Sequence, residues 1–348
     1  MARVLVTGAS GFLGAHTTAR LLADGHTVRV LVRQPERLRR SLQPVGVDVE
    51  DPRVEVAQGD MTDPVGVRAA VEDCELAVHA AATYSYRRRD ARRMREENQL
   101  GTTTVLDAAI ESGCRGIVHV SSVIALVRKG AIVDHESPLG VGIGPYSTSK
   151  IESERVARAR QDAGSPVAIV NPGGVLGPMD PNLGESNQVV LEVLRGRLPM
   201  WPRGGLQWVD VRDTAAVIVA ALERPGGRFM VPGENVSAPH IPLAAVTGRR
   251  LPFACVPLAA LMPALLPGYL TGWSFLPGAL EGARLVRLGT EVDPSSAVTG
   301  LGIPGRPLRE SMTDTVRWLV EAGHLSPRQA GSALRTQFDS PPKNEEST

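Results

Sequence analysis

Arg3-Val4-Leu5-Val6-Thr7-Gly8-Ala9-Ser10-Gly11-Phe12-Leu13-Gly14 stands at the start of the chain. Its first residues are β-prone and mostly apolar, as in a strand that is buried on both faces of a parallel sheet. Three glycines spaced Gly-x-x-Gly-x-x-Gly follow, and apolar residues then recur at helical spacing as far as Gly25. A further strand is predicted at Thr27–Val32. The segment is therefore predicted to form a strand, a tight turn and a helix, followed by a second parallel strand.

A glycine turn in this position has a physical use. It brings bare backbone N–H groups and the positive end of a helix against a pyrophosphate, which is how a dinucleotide is bound. A glycine triplet alone is a weak signal, but the strand and helix around it make the prediction specific. The residues of this turn that are predicted to bind a dinucleotide are Gly8, Ser10, Gly11, Phe12 and Leu13.

Composition excludes several classes of protein. The 348 residues suggest about two domains, and 43% hydrophobic with 22% charged residues is typical of a globular chain with a sizeable core. The net charge of +1 indicates no nucleic-acid partner. Three scattered cysteines (Cys74, Cys114 and Cys255) favour a reducing compartment without disulfides or a metal site. No signal peptide is predicted, and a cytoplasmic location is expected.

Strands and helices alternate through the first half of the chain, which predicts an α/β fold with a Rossmann-type, doubly wound parallel sheet. Its ligand is expected at the carboxyl ends of the strands. The predicted strands are Thr27–Val32, Arg53–Ala57, Leu76–Ala82, Gly116–Ser121 and Pro166–Val170. The predicted helices are Pro64–Val71, Ala91–Ser112 and one from Tyr146 to Ala163, with later ones at Val211–Leu222 and Leu308–Ala322.

The texture changes to proline- and glycine-rich connections after Asn171. Residues 1–174 are predicted to form the dinucleotide-binding domain, to which residues 207–228 return. Residues 175–206 and 229–325 are predicted to form a smaller, interleaved substrate-binding cap. Residues 326–348 are predicted to be a C-terminal tail that is partly disordered.

Several motifs in order resemble the extended short-chain dehydrogenase/reductase family, also called the epimerase/dehydratase superfamily, over about residues 2–325. Within it, the chain is most similar to the dihydroflavonol-reductase-like and 3β-hydroxysteroid-dehydrogenase-like branch. This resemblance implies a nicotinamide cofactor and hydride transfer. The motifs are Thr7–Gly14, Gly59–Asp63, Val78–Ala82, Val120–Ser122, Tyr146–Lys150, Asn98 within Asn-Gln-Leu-Gly-Thr, Asn171–Pro178 and Trp208–Asp213.

Tyr146 and Lys150 are four residues apart, which places them on one face of a helix. A free tyrosine has a pKa near ~10, too high for proton exchange at neutral pH. We expect the Lys150 ammonium to lower the pKa of Tyr146 toward a useful range. The resemblance implies the same roles: Tyr146 exchanges a proton with the substrate oxygen, and Lys150 also binds the nicotinamide ribose.

The resemblance also assigns Ser122 to orienting the substrate carbonyl, with Ser121 supporting the backbone. Asn98 resembles the helix-interrupting asparagine that steadies the active-site lysine through water. For the cofactor, the resemblance implies that Asp60 and Met61 flank the adenine. It further implies that Ala80, Ala81 and Ala82 leave room for the nucleotide, and that Pro172 and Gly173 border the nicotinamide.

The end of the second strand indicates which nicotinamide is bound. An NAD site usually carries an acid there for the ribose 2′-hydroxyl, but here Val32 is followed by Arg33. Arg33, together with Arg37, is predicted to bind a 2′-phosphate through charge-assisted hydrogen bonds worth about 1.5–3 kcal/mol. The predicted cofactor is therefore NADP(H), with NAD(H) as the alternative.

Leu251 to Leu280 contains no charged residue over thirty positions. Its length would suit a membrane span, but five prolines interrupt it. The main interpretation is the apolar wall of a substrate cap, and weak peripheral contact with a membrane is the second. A lipophilic substrate is predicted in either case.

Six arginines lie between Arg87 and Arg95. The simpler interpretation is a solvated helix face paired with Asp90, Glu96 and Glu97. The alternative is an anion-binding rim for an acyl-CoA or another phosphorylated substrate, with Tyr84 and Tyr86 lining the pocket.

The leading hypothesis is an NADP-dependent oxidoreductase acting on a carbonyl or secondary alcohol of a lipophilic substrate. A nucleotide-sugar epimerase or dehydratase shares the Tyr-Lys pair, but Val123 and Ile124 stand where dehydratases carry an acidic pair. A steroid dehydrogenase/isomerase would usually carry the acid of an NAD site. A non-catalytic dinucleotide sensor would not require Ser122, Tyr146 and Lys150 together. The resemblance further implies a homodimer through the helices Ala91–Ser112 and Tyr146–Ala163.

Overall fold

The computed structural model describes residues 1–85, 88–271 and 278–334. The strands are β1 Arg3–Thr7, β2 Thr27–Val32, β3 Val54–Gln58, β4 Leu76–His79, β5 Gly116–Val120, β6 Ile132–Val133, β7 Val167–Asn171, β8 Gly174–Leu176, β9 Met200–Pro202, β10 Leu206–Asp210, β11 Arg228–Met230, β12 Glu234–Val236, β13 Ala254–Val256 and β14 Glu291–Val292. The helices are α1 Phe12–Ala23, α2 Leu38–Leu42, α3 Pro64–Val71, α4 Ala91–Glu111, α5 Pro145–Asp162, α6 Glu185–Leu194, α7 Val211–Ala221, α8 His240–Thr247, α9 Leu258–Thr271, α10 Ala279–Leu288, α11 Ser295–Val298, α12 Leu308–Glu321 and α13 Pro327–Ala330.

A parallel sheet of seven strands organises the described residues, in the order β3-β2-β1-β4-β5-β7-β11. The chain moves outward from β1 in one direction and then from β4 in the other. This order is that of a doubly wound Rossmann-type fold, which confirms the predicted fold class. Strands β1 and β4 therefore flank the switch point, where ligands bind in sheets of this kind.

Helices cover both faces of this sheet. Buried aliphatic side chains of one face pack with α1, α2 and α7, while α3, α4 and α5 pack on the other face with residues such as Leu106, Ile117 and Ala157. Each central strand is fully buried, as expected of a parallel sheet between two helical layers. The catalytic candidates on α5 are thereby held against the end of β5.

Smaller sheets and most of the remaining helices form a second region, the cap. β8, β10 and β12 form one sheet, and β9 with β13 and β6 with β14 form two-stranded ones. Buried side chains of α6, α8 and α12, such as Leu191, Leu243 and Met312, pack around Trp208 in a core separate from that of the main sheet.

Several contacts among the described residues cross the predicted boundaries of the domains. β11 is the seventh strand of the main sheet, so the predicted boundary between residues 228 and 229 cuts through it. Ala297 of α11 also packs in the core of the main sheet, whereas β6, within the predicted first domain, pairs with β14. Residues 326–334, predicted as tail, are ordered because Ala330 and Ala333 are buried in the cap core. The rest of the predicted tail lies outside the described residues.

The predicted strand Leu76–Ala82 ends at His79. The three alanines that follow leave the sheet. They line a crevice above its carboxyl edge. An apolar run does not indicate where a strand stops pairing.

The uncharged segment forms α9 and the start of α10, and residues 272–277 lie outside the described part. Leu261 is buried, but Leu266 and Leu270 are exposed, so α9 presents an apolar surface outward as well as packing inward. Among the described residues, no helix combines the length and the apolar character that crossing a membrane requires.

Candidate active site

The glycine turn after β1 lies unusually close to the segment that follows β4. Gly8 has a φ of +85°, and a Cβ atom at this position would lie 2.7 Å from the backbone nitrogen of Ala81. A Cβ atom on Gly14 would lie 2.1 Å from the carbonyl oxygen of Gly8. Both positions therefore require glycine, because the backbone of the loop after β4 approaches Gly8 and the backbone of Gly8 approaches Gly14 too closely for a side chain to fit.

A crevice of about 290 Å³ opens above this turn. Its lining includes nine of the residues predicted to bind the cofactor, from the glycine turn, the end of β2, the segment after β3 and the segment after β4. They are Gly8, Ser10, Gly11, Arg33, Asp60, Met61, Ala80, Ala81 and Ala82. The crevice thus lies at the switch point of the sheet.

Other predicted cofactor residues lie elsewhere. Phe12 and Leu13 are in the first turn of α1, where Leu13 packs on the core and Phe12 stacks edge-on with His16. Arg37 is an exposed residue of a 3₁₀ turn and does not line the crevice, so the predicted pair of arginines is reduced to Arg33.

Two arginines lie at the mouth of the crevice. Arg33 is about two-thirds exposed, and its guanidinium lies 3.9 Å from a carboxylate oxygen of Asp60. The other Asp60 oxygen accepts hydrogen bonds from the backbone N–H and hydroxyl of Thr62 at 2.9 and 2.7 Å. Arg93 of α4 also lines the crevice and is paired with Glu97 at 2.5 Å. The guanidinium groups of Arg33 and Arg93 therefore line the crevice, and no acidic residue follows β2.

Sequence reasoning missed several lining residues. Thr7, Gly59 and Thr62 belong to the quoted motifs and could have been predicted from them. In contrast, Arg93, Glu97 and Asn182 reach the crevice only through the packing of α4 and the cap. The remaining ones are Leu31, Val32 and Thr83.

Ser122 follows β5, and its hydroxyl caps the short turn that comes next. Its Oγ accepts a hydrogen bond from the N–H of Ile124 and donates one to the carbonyl oxygen of Pro172, both at 3.3 Å. Pro172 is buried, and Gly173 is packed against Gln207. Pro172 therefore lies directly behind Ser122, and neither Pro172 nor Gly173 lines the crevice.

Lys150 is buried on α5, and its Nζ donates to the carbonyl oxygen of Val120 at 3.2 Å. Burial lowers the pKa of Lys150 to about 8, although the nearby carboxylate of Glu154 favours the ammonium form. The lysine is thus attached to the strand that ends at Ser122, so α5 and the end of β5 form one unit.

Glu154, one turn beyond Lys150, has no exposed surface. One of its oxygens accepts from the Ser121 hydroxyl at 2.5 Å and from the Asn171 amide at 2.7 Å. The other accepts two hydrogen bonds from Arg158. Ser121 therefore anchors α5 through a carboxylate, a more specific role than the backbone support predicted for it.

The expectation that Lys150 lowers the pKa of Tyr146 is wrong for this structure. Burial raises the pKa of Tyr146, and the carboxylates of Glu185 and Glu281 raise it further because a phenolate would repel them. Both carboxylates come from the cap, and no local pattern around residue 146 indicates their presence. The phenol is held in its protonated, proton-donating form.

Tyr84 connects the crevice to the catalytic helix. Its ring packs against that of Tyr146, and its hydroxyl donates to Glu185 at 2.7 Å. The predicted partner Tyr86 lies outside the described residues.

The arginine cluster forms ion pairs along α4 and toward α5. Arg92 pairs with Glu96, Arg93 with Glu97, and Arg95 with Glu152. These pairs favour the simpler interpretation of a paired, solvated face. Arg87 and the side chain of Arg88 lie outside the described part.

Asn98 lies within an uninterrupted α4. It exchanges hydrogen bonds with the backbone of Thr83 and donates to the Ser149 hydroxyl at 2.8 Å. It therefore ties the loop after β4 to α5, instead of interrupting its helix as the resemblance implied.

A nicotinamide dinucleotide fits these residues. The turn at Gly8 exposes its backbone at the N-terminus of α1, where a diphosphate binds. A side chain at Gly8 would collide with the backbone of Ala80 and Ala81. Arg33 and Asp60 provide polar groups in the lining of the crevice, and Tyr84, which follows the lining residue Thr83, packs against Tyr146.

Such a crevice beside a Ser, Tyr and Lys set defines a dinucleotide-binding α/β enzyme. Residues 4–231 match the model of the NAD dependent epimerase/dehydratase family, and the chain belongs to this family. The resemblance to the extended short-chain dehydrogenases/reductases is thereby confirmed, and with it an oxidoreductase class that uses a nicotinamide dinucleotide.

Two curated relatives span almost the whole chain. A Synechocystis sp. protein provisionally named as a dihydroflavonol 4-reductase is 31% identical over 92% of this chain and 95% of its own length. Sterol demethylase protein B of Methylococcus capsulatus is 29% identical over 92% of this chain and 99% of its own. The crystal structure of gox2253 superposes with a TM-score of 0.76 at 28% identity, covering 93% of this chain and all of that one.

Proposed function

We propose that this protein is an NADP(H)-dependent oxidoreductase that interconverts a carbonyl group and a secondary alcohol on a lipophilic substrate. The observation that carries the proposal is the hydrogen bond from Lys150 to Val120, which attaches the helix of Tyr146 and Lys150 to the strand that ends at Ser122, in a fold whose crevice lies at the switch point of the sheet. A protein that only binds a dinucleotide has no need of this set.

The cofactor would lie with its diphosphate on the turn at Gly8, Ser10 and Gly11, its adenosine between Arg33 and Asp60, and a ribose near Lys150. When bound, the nicotinamide ring supplies the hydride for reduction, or takes it up in the reverse direction.

The protein orients the substrate and moves the proton. The Ser122 hydroxyl orients the substrate carbonyl, and the Tyr146 phenol donates its proton to the carbonyl oxygen as reduction proceeds. The raised pKa of Tyr146 suits this direction, because the phenol stays protonated over the neutral range. In oxidation Tyr146 acts as the base, and the ammonium of Lys150 stabilises the phenolate that accepts the proton.

The preference for NADP(H) rests on Arg33. Its exposed guanidinium lies at the crevice mouth, and no acid follows β2. A 2′-phosphate beside it would form a charge-assisted contact, whereas the 2′-hydroxyl of NAD(H) would find no carboxylate at the strand end.

The proposed substrate is lipophilic because residues 251–280, which are predicted to belong to the cap, contain no charged residue. The names of the relatives point the same way, since sterols are apolar ring systems and dihydroflavonols are built on aromatic rings. We further propose that the exposed leucines of α9 make weak contact with a lipid surface, which co-sedimentation with phosphatidylcholine vesicles would test.

We also propose a homodimer through α4 and α5, as the family resemblance implies. Leu100 on α4 is half exposed, which suits an interface. Replacement of Leu100 with arginine is then expected to yield a monomer in sedimentation velocity measurements.

The function is tested with isotope-labelled NADPH. Transfer of the label to apolar ketones or aldehydes, but not to nucleotide sugars, is the expected result. Conversion of a nucleotide sugar without net consumption of the dinucleotide would favour the epimerase/dehydratase alternative. Tight binding of NADPH with no transfer to any carbonyl would contradict the proposal in favour of a sensor.

A further inference from the structure

The first turn of α5 begins without a capping side chain of its own. Gly144 precedes the helix, and Pro145 opens it. An N-cap side chain normally accepts hydrogen bonds from the N–H groups of the second or third helical residue, and glycine has none to offer. In this helix those residues are Tyr146 and Ser147, so the N–H groups that need an acceptor belong to the catalytic turn itself.

Glu281 of α10 provides the missing acceptor from the cap. Its Oε1 accepts from the N–H of Ser147 at 2.7 Å, and its Oε2 accepts from the N–H of Tyr146 at 3.2 Å. The carboxylate is buried and lies at the positive end of the α5 dipole, where a negative charge is stabilising. A residue 135 positions away in sequence thus performs the role of an N-cap.

Gly144 leaves room for this carboxylate. A Cβ atom on Gly144 would lie 2.4 Å from both Cδ and Oε2 of Glu281. Gly144 is extended, with φ of −175° and ψ of −177°, a conformation that alanine can adopt. Glycine at this position is therefore explained by the approach of Glu281.

A second contact joins the same two elements. The guanidinium of Arg284, one turn beyond Glu281, donates to the carbonyl oxygen of Ile143 at 2.9 Å. The α10 helix thus holds both the loop before α5 and the first turn of α5. The segment directly before α10 is the uncharged stretch assigned to the substrate cap.

We propose that Glu281 is a positioning residue that couples the substrate cap to the active site by capping the helix of Tyr146. This inference rests on the proposed function, since it assigns to Tyr146 the role of proton donor. Displacement of α10 by a substrate would alter the position of the Tyr146 phenol and its electrostatic surroundings together.

A change at Glu281 would alter the electrostatic surroundings of Tyr146, which the following charged and titratable groups define. They are Glu281 and Arg284 of α10, Glu185 of α6, Lys150 of α5, and Tyr84 in the loop after β4. Of these, Glu281 and Glu185 oppose the phenolate, so removal of the Glu281 charge lowers the pKa of Tyr146.

The test compares Glu281→Gln, Glu281→Asp, Glu281→Ala and Gly144→Ala in the full chain. Hydrogen exchange of the Tyr146 and Ser147 amides is expected to accelerate about tenfold or more in Glu281→Ala and Gly144→Ala, because each loses the acceptor. The kcat of carbonyl reduction is expected to fall by roughly ten- to a hundredfold in both, since the phenol is displaced. The Kd for NADPH is expected to stay near that of the unmodified protein.

The pH profile separates charge from geometry. Reduction requires protonated Tyr146, so its alkaline limb follows the pKa of this phenol. The limb is expected to move to lower pH in Glu281→Gln, which removes the charge, and to stay in place in Glu281→Asp, which keeps it. A loss of stability alone would not shift the limb.

Glu234→Gln is the control, because Glu234 also comes from another element and accepts a hydrogen bond from the first turn of a helix, the N–H of Leu308 in α12, at 2.7 Å. It is expected to leave kcat and the pH profile unchanged. Unchanged amide exchange in Glu281→Ala, or an unchanged alkaline limb in Glu281→Gln, would overturn the inference. If the unmodified protein reduces no carbonyl, the proposed function fails, and the amide exchange still decides whether Glu281 caps α5.

Discussion

The ring of Tyr84 packs edge-on against the ring of Tyr146, with centroids 4.7 Å apart and an interplanar angle of 81°. Edge-to-face pairs of this kind contribute about 0.5–1.5 kcal/mol beyond the area they bury. Tyr84 follows directly from the segment that lines the crevice, and its hydroxyl reaches Glu185 of the cap. Tyr146, the proposed proton donor, is therefore held between the loop after β4 and the cap.

Two substitutions separate the contacts of Tyr84. Tyr84→Phe keeps the ring contact and removes the hydrogen bond to Glu185, whereas Tyr84→Ala removes both. We expect Tyr84→Ala to lower the kcat of carbonyl reduction by about tenfold, and Tyr84→Phe to have a smaller effect, because the ring positions Tyr146. Equal losses in steady-state assays of both variants would assign the effect to the hydroxyl instead.

Tyr146→Phe removes the proposed proton donor and keeps the ring. Turnover is expected to fall by about 10²- to 10⁴-fold, the usual contribution of a positioned acid or base. Binding of NADPH, followed by fluorescence titration, should be preserved because Tyr146 does not line the crevice. Turnover equal to that of the unmodified protein would eliminate Tyr146 as the donor.

Arg33→Asp places a carboxylate where NAD-specific proteins carry one. The ratio of kcat/KM for NADPH to that for NADH is expected to fall by about ten- to a hundredfold. The reason is the loss of the contact between Arg33 and the 2′-phosphate, which is worth about 1.5–3 kcal/mol. Arg37→Asp is the control, because Arg37 is exposed nearby but lies outside the crevice. If both variants keep the original ratio, Arg33 is not part of the cofactor site.

Glu154→Gln tests the buried anchor of α5. One Glu154 oxygen faces Ser121 and Asn171 and the other faces Arg158, so an amide must turn its NH₂ group against donors on one side. A decrease of about 3 kcal/mol in the free energy of unfolding is expected in urea titrations. The control is Glu152→Gln on the same helix, which removes an ion pair with the half-exposed Arg95 near the surface and should cost about 1 kcal/mol or less. Similar costs for the two variants would contradict the structural role of Glu154.

Buried histidines predict loss of stability in acid. Burial lowers the pKa of His16 to about 4 and of His79 to about 3, and it also lowers that of His119. The unfolded chain therefore binds more protons than the folded chain below about pH 6.5, so stability falls as the pH decreases from 6.5 toward 4. Each histidine contributes a slope of roughly 1.4 kcal/mol per pH unit there. Asp180 and Asp213, whose pKa values burial raises, act with the opposite sign at the acid end.

Urea unfolding between pH 7.5 and 4.5 measures this slope. His16→Gln removes one titrating group, and its amide can still donate to the carbonyl oxygen of Pro178, the partner of His16 at 3.1 Å. We expect its slope to be shallower by about one histidine's share. An identical slope would mean that His16 remains protonated in the folded protein.

Local patterns predicted most of the elements around the site. The strand Thr27–Val32 and the helix Pro64–Val71 have the predicted bounds. The strand is indicated by its own largely apolar run and the helix by Asp63 and Pro64 at its start, so both signals lie within or next to the segment. Spacing alone predicted that Tyr146 and Lys150 share one helix. Arg37 was assigned to the crevice by proximity in sequence, and the turn of chain at Pro35 directs it elsewhere.

By itself, the sequence determined the α/β class, the glycine turn and the identity of the proposed catalytic residues, because each depends on residues within one or two turns of chain. Only the tertiary structure decided the acidity of Tyr146, the anchoring of Lys150 on Val120 and the capping of α5 by Glu281. The acidity of Tyr146 and the capping of α5 depend on burial and on carboxylates of the cap, and the anchoring of Lys150 joins residues 30 positions apart. Electrostatic interactions of this kind act through space, at distances that a linear pattern does not record.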